Sequence, residues 1–359
     1  MTTSPAERYW ILQKIGSGAT ATVFKAIDTL ERRTVALKVF NTSKPGPCDS
    51  DELSFYPLFE GCSTVAQAEA SYTNSQGQQC IVLQYMPHGT LFEYIHPASS
   101  VVLTIHQTRR WIRQLVAAAQ EFALRGLVHG DIKPENCLIS EAGDLVLHDL
   151  GTTTRIGHRH GRYIPGTELY MAPELLRSQP CNTPQDVWAI GLVIYAALFA
   201  DLPWDRASRR DPLFVAYQSA GRLPGKAALE LLTPAFHNLL LRMLDPNPQT
   251  RASLEQIAAF IDSNAPWFRC QESPAATPSP SFTKLNQTAP KLPTPASPAP
   301  PSPPTKAKGA PRHSMVHKRP SSVHSIAISH RSSPGTSSPG ASSLVSSSSL
   351  NRFLNTTVL

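Results

Sequence analysis

Four short stretches of this 359-residue chain carry side chains that could do chemistry together. "LVHGDIKPENCLI", Leu127 to Ile139, sets Asp131, Lys133 and Asn136 in one loop. That trio offers a carboxylate to meet a hydroxyl, an ammonium, and an amide oxygen able to hold a metal ion. "HDLG" places Asp149 eighteen residues after Asp131. "VALKV" puts Lys38 mid-strand among apolar residues, where a charge is costly unless paired. "IGSGATATVFKA" spaces Gly16 and Gly18 with Ala21 and Val23 behind them. A backbone without Cβ atoms can drop over phosphates and present its N–H groups.

The surrounding sequence supplies elements to position these groups. "YWILQKIG", "ATVFKAID", "TVALKVF" and "QCIVLQYM" read as strands, rich in β-branched and aromatic residues and bounded by turn formers. "SDELSFYPLFEGC" reads as a helix with Ser50 or Asp51 as its N-cap. Ile105, Trp111, Ile112, Leu115, Val116, Ala119 and Phe122 fall near helical spacing, with Gly126 as a stop. "CLIS" and "LVLHD" flank the turn signal "EAGD", and the chain beyond "MAPELL" is mostly helical. Strands first and helices after predict an α+β fold in two lobes. The longest apolar run, Val187 to Ala200, is shorter than the roughly 20 residues of a membrane span. It predicts a buried core helix, and no transmembrane segment is expected.

Charge divides the chain. Residues 1–270 hold 24 Lys or Arg against 25 Asp or Glu, whereas 271–359 hold nine basic residues and a single acid, Glu272. The net +7 therefore belongs to a tail of Ser, Pro, Thr and Ala, which is expected to be disordered because it cannot bury enough apolar surface. The six cysteines form no CxxC, and no His spacing completes a zinc site, which fits a reducing compartment. "MTTSPAERYW" has no secretory core and Thr2 excludes N-myristoylation. A cytoplasmic location, with access to the nucleus, is expected.

Taken in order and spacing, these motifs make residues 9–267 resemble a eukaryotic serine/threonine protein kinase domain. The resemblance implies a bilobal kinase fold, with a small β-rich lobe over about 9–85 and a helical lobe over about 90–267. It implies ATP and Mg²⁺. Ile15, Gly16, Ser17, Gly18 and Val23 would cover the nucleotide, and Lys38 would bind its α- and β-phosphates. Glu52, fourteen residues on, is the expected partner of Lys38; Glu60 is the alternative, and Glu69 leaves too short an interval to the next strand. Asp131 would be the catalytic base and Lys133 would steady the transferring phosphoryl group. Asn136 and Asp149 would hold magnesium. Leu150 would pack below His129 and Tyr56. Thr167 and Lys133 point to serine/threonine specificity, and Glu174 would pair with Arg251.

The chain is most similar to the Src-homology-3-binding kinase family, in "ALKVFNTSK", "LPWDRASRRDPLFVAYQSAGRLPG", "YIPGTELYMAPE" and the proline-rich tail. Gly130 departs from the family pattern, which commonly has Arg before the catalytic Asp to receive an activation-loop phosphate. This non-RD loop is expected to be active without a phosphate anchored there, and Thr152, Thr153 and Thr154 are more simply solvated loop residues. The alternative is a pseudokinase scaffold that binds partners through the fold and tail. Lys38, Asp131, Asn136 and Asp149 are all present, which argues against it. A small-molecule kinase of related fold is disfavoured by the Thr167 segment and "MAPE".

In the tail, Pro301 to Lys306 fits a Src-homology-3 ligand and Thr357 to Leu359 fits a PDZ carboxylate ligand. Ser-Pro and Thr-Pro pairs offer sites to proline-directed kinases. A protein substrate is expected, and no specific nucleic acid.

Overall fold

The computed structural model describes residues 8–18, 20–41, 49–96, 99, 103–161, 163–224 and 227–269. The tail over 271–359, including Pro301–Lys306 and Thr357–Leu359, lies outside the described residues.

The first lobe is one antiparallel sheet of five strands: β1 (Tyr9–Ser17), β2 (Ala21–Asp28), β3 (Arg33–Phe40), β4 (Ala68–Thr73) and β5 (Gln79–Gln84). Their order is β1-β2-β3-β5-β4. β3 is central, and Val35, Leu37 and Phe40 on it are buried. Its register pairs Lys38 with Val23 on one side and Ile81 on the other. β4 is the strand that sequence periodicity misses. "AEASYT" alternates half-buried and exposed positions but is poor in strand-favouring residues. On it, Glu69 forms a bidentate pair with Arg33 at 2.7 and 2.6 Å, remote from Lys38.

Helix α1 (Asp49–Phe55) lies between β3 and β4. It is shorter than expected, because Pro57 lacks an N–H and its ring opposes the preceding turn, so the chain tightens to a 3₁₀ turn over Tyr56–Phe59. Ser50 and Asp51 fall inside the helix instead of capping it. The end of this segment is fixed from three sides. Gln67 Nε2 donates to the carbonyls of Phe59, Cys62 and Val65, Arg125 Nε donates to Leu58 O, and Phe59 packs on Phe122.

The second lobe is helical, with α2 (Leu91–Ile95), α3 (Ile105–Leu124), α4 (Pro184–Phe199), α5 (Pro212–Ala220), α6 (Pro234–Met243) and α7 (Leu254–Asp262). Thr104 caps α3 by accepting from Gln107 N, and Trp111, Ile112, Leu115, Val116, Ala119 and Phe122 bury one face. Every residue of α4 from Gln185 to Phe199 is buried, so the longest apolar run is a core helix. No helix among the described residues is long and apolar enough to cross a membrane. The short strands β6 (Leu127–Val128), β7 (Cys137–Ile139), β8 (Leu145–Leu147) and β9 (Thr154–Arg155) pair as β6–β9 and β7–β8. The chemistry-bearing loops hang from these two ribbons.

Candidate active site

The β7–β8 hairpin and the end of β6 fix the loop from His129 to Asn136. Its backbone is held by the Asp186 carboxylate, which accepts from His129 N at 2.8 Å and Gly130 N at 3.1 Å. Burial pushes the Asp186 carboxyl up, opposed by His129 and by the two backbone N–H groups. The His129 ring accepts from Asp131 N through Nδ1 and faces His148 O through Nε2.

This frame presents Asp131 with both oxygens engaged. Lys133 Nζ donates to Oδ2 at 2.6 Å, and Thr167 N donates to Oδ1 at 2.7 Å. Lys133 also donates to Thr167 Oγ1 at 2.7 Å, so the three side chains form one cluster around the place where a hydroxyl would meet Asp131. Asn136 donates its amide to Asp131 O and Oδ2 at 2.8 and 3.2 Å. Its carbonyl oxygen is thereby left as the atom able to bind a cation.

Across the cleft, β3 carries Lys38 against α1. Lys38 Nζ lies 2.7 Å from each Glu52 oxygen and 2.7 Å from Asp149 Oδ1. The sequence alternatives lie elsewhere, with Glu60 exposed beyond the 3₁₀ turn and Glu69 on β4. Burial works to lower the Lys38 pKa, but Asp149 and Glu52 together outweigh it and hold the ammonium above its ordinary value. For Glu52, burial dominates and raises the carboxyl in spite of Lys38. For Asp149, burial is overcome by Lys38 and the neighbouring histidines, which hold the carboxyl well below the usual range. Asp149 adopts φ +68°, a left-handed conformation that non-glycine residues accept at a cost and that recurs at functional sites. A Cβ on Gly151 would stand 3.2 Å from Glu52 Oε2, so glycine there leaves room for the carboxylate.

Ile15, Gly16 and Ser17 end β1, and Gly16 pairs with Val23 beside Lys38. Gly18 N closes the turn on Ala21 O at 2.8 Å. Neither Gly16 nor Gly18 has a positive φ, and a Cβ on either would meet only ordinary contacts at 3.6 Å or beyond. Packing within the chain therefore does not demand glycine at these two positions, while close approach of a ligand would.

Leu150 is fully buried in the same core as Tyr56, with His129 packed edge-on against Phe122. Thr152 donates its hydroxyl to His129 O at 2.8 Å and Thr153 is buried, so neither is a solvated loop residue. Gly130 has φ +82°, and a Cβ there would stand 2.9 Å from Thr152 O. Gly166 has φ +114°, and its Cβ would meet Gly130 O at the same distance. Both ends of the segment from Asp149 to Glu174 thus close on the Gly130 backbone. Further out, Arg251 holds Glu174 bidentately at 2.6 and 2.9 Å in a buried pair.

The model of the protein kinase domain matches residues 9–263. The chain belongs to the protein kinase domain family. Similar curated proteins include the probable serine/threonine-protein kinase MARK-C of Dictyostelium discoideum, 26% identical over 268 residues, covering 72% of this chain and 33% of that protein. CBL-interacting protein kinase 29 of Oryza sativa subsp. japonica is 30% identical over 278 residues, covering 73% and 59%. Serine/threonine-protein kinase SBK1 of Mus musculus is 30% identical over 273 residues, covering 71% and 63%. The chain thus spans between a third and about three-fifths of the length of these relatives. The two-lobed structure is the kinase fold, and membership of the family implies ATP, typically with Mg²⁺.

Sequence reasoning passed over two features. Tyr56 was read only as an apolar packing residue, yet its hydroxyl donates to Glu52 Oε1 at 3.0 Å. The signal lies in the spacing, since Tyr56 follows Glu52 by four residues, about one helical turn of the helix the sequence predicts. The backbone demand at Gly130 gave no such signal, because φ is not written in the residue type.

Proposed function

We propose that the chain is an active serine/threonine protein kinase that transfers the γ-phosphoryl group of ATP to a protein hydroxyl. The observation that carries this is the pair of facing clusters, Lys38–Glu52–Asp149 and Asp131–Lys133–Thr167. Asp131 accepts or orients the hydroxyl proton, and Lys133 and Lys38 meet the phosphoryl charges. Ile15, Gly16, Ser17, Gly18 and Val23 cover the nucleotide, with Lys38 held by Glu52. Asn136 Oδ1 and Asp149 supply hard oxygen donors that fit Mg²⁺, which when bound neutralises phosphate charge. Catalysis rests on positioning and electrostatic stabilisation.

The non-RD loop fits an enzyme whose 149–174 segment needs no phosphate anchored at residue 130. Direct backbone contacts at Gly130 and Gly166 support this. Within the family, we place the chain with the Src-homology-3-binding kinases, supported by the motifs quoted above. The kinase domain is taken as 9–267, and the basic tail from 271 onward docks partners, with Pro301–Lys306 addressed to a Src-homology-3 domain. Free cysteines at 62, 80, 137 and 181 support a cytoplasmic setting. The test is transfer from radiolabelled ATP to protein, with Asp149→Ala as control. Label in the wild type and none in the variant is expected; equal label in both overturns the reading.

A further inference from the structure

Glu52 sits on a short helix that is anchored at its C-terminal end. α1 has seven residues, too few to be stable as an isolated helix, and Pro57 stops it from lengthening. The Glu52 carboxylate is 2% exposed and shares one buried ammonium with the half-exposed Asp149, so it does not have the whole of its counter-charge to itself. A further donor is needed there, and Tyr56 supplies it. Its ring is buried in the same core as Phe59 and Leu150. Its hydroxyl reaches Glu52 Oε1 at 3.0 Å. An apolar side chain would fill that space without the cost of burying a hydroxyl, so the hydroxyl answers to its acceptor.

We propose that Tyr56 is a positioning residue for the nucleotide site, its hydroxyl holding the Glu52 carboxylate in the orientation that pairs with Lys38. The proposal rests on the kinase reading and deepens it. The Lys38 ammonium has Glu52 Oε1, Glu52 Oε2 and Asp149 Oδ1 as acceptors. Phosphate oxygens must take some of that donor capacity, since an ammonium has three hydrogens. The Tyr56 hydroxyl is a donor to Glu52 that does not compete with phosphate for the ammonium. Burial, and then the Glu52 charge, keeps Tyr56 protonated and able to donate well beyond neutral pH.

The experiment compares wild type, Tyr56→Phe and Tyr56→Leu, each with Glu52 intact and in a Glu52→Ala background. It measures the affinity for Mg-ATP by displacement of a fluorescent nucleotide, together with KM for ATP, KM for a peptide, and kcat. With Glu52 intact, Tyr56→Phe weakens nucleotide binding and raises KM for ATP about tenfold, with KM for peptide unchanged; a lost hydrogen bond to a charged group has that size. Tyr56→Leu shows the same defect, which separates the hydroxyl from the ring. In the Glu52→Ala background the Phe substitution has no further effect. A Tyr56→Phe protein equal to wild type, or one losing the same factor without Glu52, overturns the proposal and leaves the kinase reading intact. A wild type that neither binds Mg-ATP nor transfers phosphate overturns both.

Discussion

Replacing Gly130 by alanine isolates the backbone demand at the catalytic loop. Two costs add. An L-residue at φ +82° is strained by about 1–2 kcal/mol. The new Cβ would also stand 2.9 Å from Thr152 O, the carbonyl of a residue whose hydroxyl is tied to His129 O, so the loop must shift. A total of about 2 kcal/mol corresponds to a fall in Tm of about 4–8 °C for a domain of this size. Because Asp131 is the next residue and Gly166 packs on Gly130 O, the shift also displaces the Asp131 carboxylate, and under the role proposed for it kcat falls with KM for ATP little changed. Gly130→Arg, which restores the common family residue, behaves like Gly130→Ala or worse. Thermal melting and steady-state peptide phosphorylation measure both effects. An alanine or arginine variant as stable and as active as wild type would refute the reasoning, because the glycine would then be a mere substitute for a regulatory side chain.

Other consequences follow from the same contacts. Thr167→Val removes the acceptor for Lys133 while keeping the backbone bond to Asp131, and lowers kcat by about 10- to 100-fold; Thr167→Ser restores most of it. Arg251→Ala leaves the buried Glu174 carboxylate unpaired and destabilises the domain by about 3–5 kcal/mol in denaturant unfolding, with much of the loss recovered when Glu174→Gln is added. Asp28 is held below the usual carboxylate range by Arg8, with burial opposing and the Glu31 and Leu30 N–H groups assisting. A carboxyl whose folded pKa is depressed stabilises the fold above its ordinary pKa, and that stability is lost as pH falls through the folded value. Acid melts below about pH 4 therefore show a smaller pH slope for Asp28→Asn than for wild type.

The clustering of the residues in the 129–136 loop is legible in the sequence because their spacing is local. Asp131, Lys133 and Asn136 lie within six residues, and one turn of chain brings them together. Lys38 announced its need of a partner by standing charged in an apolar strand, and the 14-residue interval singled out Glu52, which lies 2.7 Å away. Strand β4 was not legible, since Ala and Glu in "AEASYT" give no strand signal and its pairing with β5 is a tertiary event. The truncation of α1 is written in Pro57, which cannot continue the α-helical hydrogen bonding. Gly130 was read as an absent arginine, whereas its positive φ and the approach of Thr152 O depend on chain segments that meet only in the fold.

The most direct measurement is phosphate transfer from γ-labelled ATP to a protein substrate by the full chain and by Asp131→Asn, with the labelled residue identified by phosphoamino-acid analysis. The account predicts phosphoserine or phosphothreonine with the wild type and a loss of at least about a hundredfold with Asp131→Asn. Equal labelling by both proteins, or no labelling by either in the presence of Mg²⁺, would contradict it.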